Sequence, residues 1–240
     1  MSAEKEPSDL ENTMEDALGF NFRSLRTLRD ILIRLNKVFQ TYASGDRVTY
    51  TPALRLWLGM LSLTFLLFLF AGSYTDLLKQ ALQQNESALD ALKGLAGEDI
   101  DPFLDKMASS ITLLQAPIVG MFTALSIFIL KPFNPQLGFV PRLNIAFATL
   151  SAGTLLGAIT AVLTVTGLMP ITNWQTFAIW VVYFVTFWRG APNVVSETRM
   201  GAFTKALIFS LAVIALVIFA NLVNMIIAMV YATISIGPGT

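Results

Sequence analysis

Of the 240 residues, 55% are hydrophobic and only 13% are charged, against about 25% charged in a soluble domain. Sixteen basic and sixteen acidic residues cancel, so net charge points to no partner, nucleic acid included. The chain has no cysteine and no histidine. That excludes disulfides, thiolate metal sites, thiol nucleophiles, the commonest general base and the commonest transition-metal ligand. The expectation is a chain with no catalytic residue, no metal site and no cofactor.

Residues 1–20 hold six acids, one lysine and Pro7, which predicts a disordered acidic tail. They lack the basic-then-apolar order of a secretory signal, so the first apolar stretch is expected to act as an uncleaved anchor. Residues 21–53 read as a cytoplasmic basic amphipathic helix followed by a turn. Phe22, Leu25, Leu28, Leu32, Leu35, Phe39 and Tyr42 recur at spacings of three and four, the mark of one helical face. Arg23, Arg26, Asp30, Arg34 and Lys37 fall on the opposite face, and Asn21 suits the N-cap. Such a helix either lies in the cytoplasmic interface or packs on the ends of the protein's own spans. In the first case Arg23, Arg26, Arg34, Lys37 and Arg47 contact anionic headgroups, each basic residue contributing on the order of 1 kcal/mol. Ser44-Gly45-Asp46 is expected to stop the helix and Pro52 to start the next.

This stretch, with Tyr42-Ala43-Ser44-Gly45-Asp46-Arg47 ahead of an aromatic residue and a proline, resembles a bacterial family of uncharacterised multi-spanning membrane proteins. Members share a Tyr-x-x-Gly-x-Arg turn before the first span and are distantly similar to Yip-like five-helix proteins. The match covers about residues 22–75, with looser agreement in hydropathy through residue 168. The N-terminal zinc ribbon of many members has no counterpart here, since the chain has no cysteine. The resemblance implies a membrane location and a helical architecture, and no activity.

Five stretches over about 54–74, 109–130, 143–168, 171–188 and 206–234 are long and apolar, and no Asp or Glu lies inside them. About 20 such residues cross a bilayer as a helix. The predicted fold is therefore an all-α membrane protein: a five-helix transmembrane bundle over 54–236, with the N-terminal amphipathic helix in the cytoplasm. Thirteen basic residues fall on the N-terminal side of this topology and three on the other. The positive-inside rule then puts the N-terminus in the cytoplasm and the C-terminus outside. A bacterial inner (plasma) membrane suits this arrangement, with the C-terminus periplasmic or extracellular.

The outer loop, 75–108, carries leucines at helical spacing and then Glu98-Asp99-Ile100-Asp101-Pro102 with Asp105. These acids read either as a site for a hard cation or as a solvated turn capping the next helix. Within the spans, Gly153 and Gly157 form a GxxxG and Gly120 lies on a similar small-residue ridge, for packing within the bundle or dimerisation. Asn221 and Asn224 in the fifth span need partners. Either they line a polar path or they bond a neighbouring span, with Thr160 and Thr164 the obvious candidates. Gln115 and Pro117 are placed to kink the second span.

The pattern predicts a non-enzymatic scaffold, assembly factor or accessory subunit, contacting membrane lipid and other membrane proteins or itself. The alternative is a permease or channel for a neutral or lipid-like molecule.

Overall fold

The computed structural model describes residues 22–46, 48–71, 74–83, 85–96, 99–166, 168 and 174–236. The acidic tail, Asn21, Arg47, the connection at 169–173 and the side chain of Thr164 lie outside the described residues. Among the described residues the protein is all helical, with ten helices, no strand and a single isolated bridge between Pro192 and Ser196.

The helix predicted over 22–42 is broken in two. α1 (Phe22–Ile33) and α2 (Leu35–Ala43) meet at Arg34, whose backbone leaves the helical region at φ −126° and ψ 41°. Gly45 then takes a left-handed φ of 79°, and the Asp46 carboxylate accepts the Val48 and Thr49 amides at 2.7 and 3.1 Å. That turn leads into α3 (Ala53–Ala71). The outer loop folds as α4 (Tyr74–Gln83) and α5 (Glu86–Ala96). α6 (Asp101–Ala124) starts earlier than expected because Pro102 sits in its first turn, where a missing N–H costs nothing. α7 (Ile127–Phe133), α8 (Phe139–Val165), α9 (Trp174–Gly190) and α10 (Arg199–Ile236) complete the chain.

Among the described residues, three stretches are long and apolar enough to cross a membrane: Asp101–Phe133, Phe139–Thr160 and Arg199–Ile236. Ala53–Thr64 is apolar but shorter, and α9 has 17 residues. At 1.5 Å per residue α10 is about 57 Å long, close to twice the roughly 30 Å of hydrocarbon in a bilayer.

α10 packs along α6, α3 packs along α8, and α9 touches both α8 and α10. Ala202, Ala206, Ala220, Ala228 and Ala232 are fully buried on α10, and such small side chains let helix backbones approach. The main core is aromatic. Phe187 stacks on Phe209 at 4.2 Å and meets Phe39 edge-on at 6.0 Å. Trp57 is buried (2% exposed) and donates its indole N–H to Thr154 at 3.1 Å. A buried indole needs that partner.

Contacts sort the helix ends into two groups. At one end the Ala53 amide donates to Asn144 (2.9 Å), Asn134 donates to the Val194 carbonyl (2.7 Å), and Asn36 donates to the Gly190 and Pro192 carbonyls (3.1 and 2.7 Å). Lys205 adds bonds to the Phe133 and Val195 carbonyls there. At the other end Leu92, Phe103, Leu104, Met107, Ile111, Ala228 and Ala232 form a second, smaller core. The first group is called the inner end and the second the outer end, names taken only from the expected topology.

Candidate functional site

Two places concentrate chemistry: a basic groove at the inner end and a cavity in the middle of the bundle.

The groove is made by α1 and the turn after α2. It encloses about 710 Å³ and is lined by Phe22, Arg23, Leu25, Arg26, Arg29, Val48 and Thr49. The orientation of α1 is the reverse of the one expected had its apolar face packed on the ends of the spans. Ser24, Thr27, Asp30 and Ile31 are buried, whereas Phe22, Leu25, Leu32 and Ile33 face outward beside Arg26 and Arg29. The reason is a polar seam that helical periodicity does not contain. Thr27 accepts the Thr51 amide (3.0 Å), Ser24 pairs with the Thr51 hydroxyl (3.2 Å), and Tyr50 donates its hydroxyl to Asp30 (2.9 Å). Arg23 donates to the Tyr50 carbonyl, and Arg29 pairs with Asp30 at 2.8 Å. Burial works to raise the Asp30 carboxyl, but the bonds from Arg29 and Tyr50 and the charges of Arg29 and Arg34 outweigh it and hold it below the ordinary carboxylate value. Burial and the bond to Asp30 push the Tyr50 phenol up, which keeps it a donor.

The break at Arg34 leaves the last carbonyls of α1 without helical partners. Arg189 supplies them, donating to Leu32 and Ile33 at 3.1 and 3.2 Å. Arg34 and Lys37 are exposed. The five predicted headgroup contacts therefore separate. Arg23 and Arg26 line the groove, Arg34 and Lys37 are exposed and do not line it, and Arg47 is not described.

The mid-bundle cavity encloses about 280 Å³ between α3, α6, α8, α9 and α10. Gln115 and Asn221 sit on its wall, and Gln115 donates its amide to Asn221 at 2.9 Å. Asn224, 2% exposed, donates to the Gln115 carbonyl (2.8 Å) and to the Ile111 backbone carbonyl (3.2 Å). Among the described residues the asparagines thus bond α6 and not Thr160. Thr160 donates to the Gly157 carbonyl within its own helix at 3.0 Å, and the Thr164 side chain is not described. Geometry decides this: α6 is the helix against which α10 lies.

The predicted glycines have three different surroundings. A Cβ on Gly153 would lie 2.1 Å from the Tyr183 ring, and one on Gly120 would lie 3.2 Å from Trp57, so both serve close packing. A Cβ on Gly157 would meet nothing within 4 Å, because that residue borders the cavity. The acidic outer turn is engaged locally. Asp101 pairs with Lys79 (2.9 Å), Asp105 accepts from Thr75 (2.9 Å), and Asp99 accepts the Asp101 amide (3.2 Å). Among the described residues no cluster of three metal-ligating side chains occurs.

The sequence pattern does not single out Arg29, Tyr183 or Arg189 as site residues, and it gives Gln115 only a place in a kink. Gln115 was findable, being an amide in an apolar span like the two asparagines. Tyr183 gave no signal among the aromatic residues around it. The chain matches no known protein family, and no curated protein or solved structure proves similar to it.

Proposed function

We propose that this is a non-enzymatic polytopic protein of a bacterial inner membrane, crossing it five times. Its cytoplasmic head contacts anionic lipid, and it serves as a scaffold, assembly factor or accessory subunit for partner membrane proteins. The observation that carries the reading is the outward face of α1, where Phe22 (63% exposed), Leu25 (53%) and Ile33 (62%) stand beside Arg26 and Arg29. Apolar and guanidinium groups on one exposed face suit a headgroup–acyl boundary. The resemblance in sequence of Tyr42–Arg47 to the Tyr-x-x-Gly-x-Arg turn described above fits the same expectation. The grouping of helix ends supports five crossings, with residues 36, 53, 134, 144, 190 and 205 meeting at one end.

Arg26→Gln with Arg34→Gln removes two exposed charges outside the hydrogen-bonded seam. Native mass spectrometry of the full chain should then show fewer retained phosphatidylglycerol molecules, with phosphatidylcholine unchanged. Equal retention of both lipids by the native chain would end the anionic-lipid reading. Reporter fusions should place the N-terminus in the cytoplasm and the C-terminus outside, and both ends inside would refute five crossings.

The second reading, a permease or channel for a neutral or lipid-like molecule, draws on the cavity bordered by Asn221.

A further inference from the structure

A groove runs between α8 and α9 and encloses about 220 Å³. Leu155, Leu156 and Ile159 line it from α8, and Val182, Thr186 and Arg189 line it from α9. Each set recurs at spacings of three and four, which keeps it on one helical face. Ile31, Leu32 and Leu35, from the α1–α2 junction, close the groove beside Arg189, which donates to the Leu32 and Ile33 carbonyls. Asn144 of α8 and Gly190 of α9 both belong to the inner end, so the two helices run antiparallel. The Tyr183 ring lies against Gly153 and sets their register. From that contact Arg189 is six positions toward the inner end and Ile159 six toward the outer. At 1.5 Å per residue the groove is about 18 Å long, close to half of the roughly 30 Å of hydrocarbon in a bilayer.

The groove is therefore apolar along its length and cationic at one end. Arg189 is the one charged residue in its lining. It is exposed, and no ion pair involves it among the described residues. A guanidinium has five N–H donors, and the two carbonyl bonds leave a fork that suits phosphate oxygens. Trp188, its neighbour in the chain, is 41% exposed, as befits an aromatic ring at headgroup level. A zwitterionic headgroup brings its own ammonium to its phosphate, so a lone guanidinium favours a net-negative one. At roughly 30 Å³ for each water-sized group the groove takes about seven of them, part of one acyl chain and not two chains side by side.

We propose that this groove holds one anionic phospholipid of the leaflet at the inner end, its phosphate on Arg189 and one acyl chain lying along Val182, Leu155 and Ile159. The bound lipid covers the α1–α2 junction from the bilayer side, where Arg189 already holds the last carbonyls of α1. Such a site depends on α8 and α9 lying in the membrane and not on the outward face of α1, so it is separate from the headgroup contact proposed for Arg26 and Arg34.

The test is photo-crosslinking of the full chain in phosphatidylcholine nanodiscs that contain a trace of phosphatidylglycerol bearing a diazirine in one acyl chain. Adducts should map to Leu155, Leu156, Ile159 and Val182, and added unlabelled phosphatidylglycerol should displace them. Arg189→Gln should lower the labelling about tenfold, the equivalent of one charge-assisted hydrogen bond. Leu156→Trp should abolish it by filling the groove with Arg189 left in place. The Arg26→Gln with Arg34→Gln variant should keep it, because neither residue lines the groove. Loss of the groove adducts in that variant alone would assign the lipid to the cytoplasmic head and overturn the groove site while leaving the head's reading intact. Equal labelling by a diazirine phosphatidylcholine, or adducts spread over outward-facing residues such as Phe219 and Ile226, overturns the groove site too. Displacement by a fatty acid and not by phosphatidylglycerol overturns it in favour of a free carboxylate. If both groove variants aggregate, the competition on the native chain decides.

Discussion

At the inner end of the bundle, side chains capture backbone. Asn36, Asn134, Lys205 and Arg189 each donate to carbonyls of another element, and Asn144 accepts the first amide of α3. At the outer end, the contacts of α4 and α5 among the described residues include a small apolar cluster, the Thr75–Asp105 bond and the Lys79–Asp101 pair. The difference follows from what each end must solve. The inner end contains a helix break, a left-handed turn and the bridge at Pro192–Ser196, all of which expose backbone groups that need partners. Among the described residues the outer end consists of α4, α5 and the start of α6, and burial of leucine and phenylalanine joins these helices. A bond from side chain to backbone fixes a position, whereas apolar burial fixes only a face.

The inner end should therefore be the less tolerant. The largest effect is expected at Gly190, where a Cβ would lie 2.5 Å from the ring of the fully buried Phe39. Gly190→Val should destabilise the protein by about 3 kcal/mol through overpacking, read as a large fall in melting temperature in detergent. Tolerance of valine there would mean that α2 and α9 do not pack as described.

Next comes Tyr50→Phe, which strips a donor from the buried Asp30 carboxylate and should cost about 2 kcal/mol. Because the folded carboxyl lies below its ordinary value, its contribution is complete above the unfolded value of about 4 and is lost as pH falls through the folded one. The melting temperature should hold level from about pH 7 to 5 and drop below about pH 4, with a shallower acid limb in Asp30→Asn. An identical acid limb in that variant would detach Asp30 from stability.

The smallest effect belongs to the outer end. Lys79→Ala breaks an exposed ion pair and should leave the melting temperature unchanged at any salt concentration. A clear drop that salt removes would show that the outer end is held electrostatically after all.

How much was legible follows the same division. The apolar stretches, the Ser44–Asp46 stop and the helical outer loop could be read because composition and local turn chemistry decide them. The faces of α1 could not. Phe22, Leu25 and Leu32 share a helical spacing with Leu35 and Phe39, yet α2 buries its apolar residues and α1 exposes these three. The deciding partners, Tyr50 and Thr51, lie beyond the reach of any helical period. The partner of the asparagines was equally hidden, because which helix lies beside α10 is a property of the whole bundle.

By itself the amino-acid sequence determined that the chain is helical, apolar in long runs and free of histidine and cysteine chemistry, since these depend on residue type and short-range spacing. Only the tertiary structure decided that α1 turns its polar side inward, that Gln115 holds the asparagines, and that Gly153 makes room for Tyr183. Each of these is a meeting of residues distant in the chain, brought together by packing that no local pattern encodes.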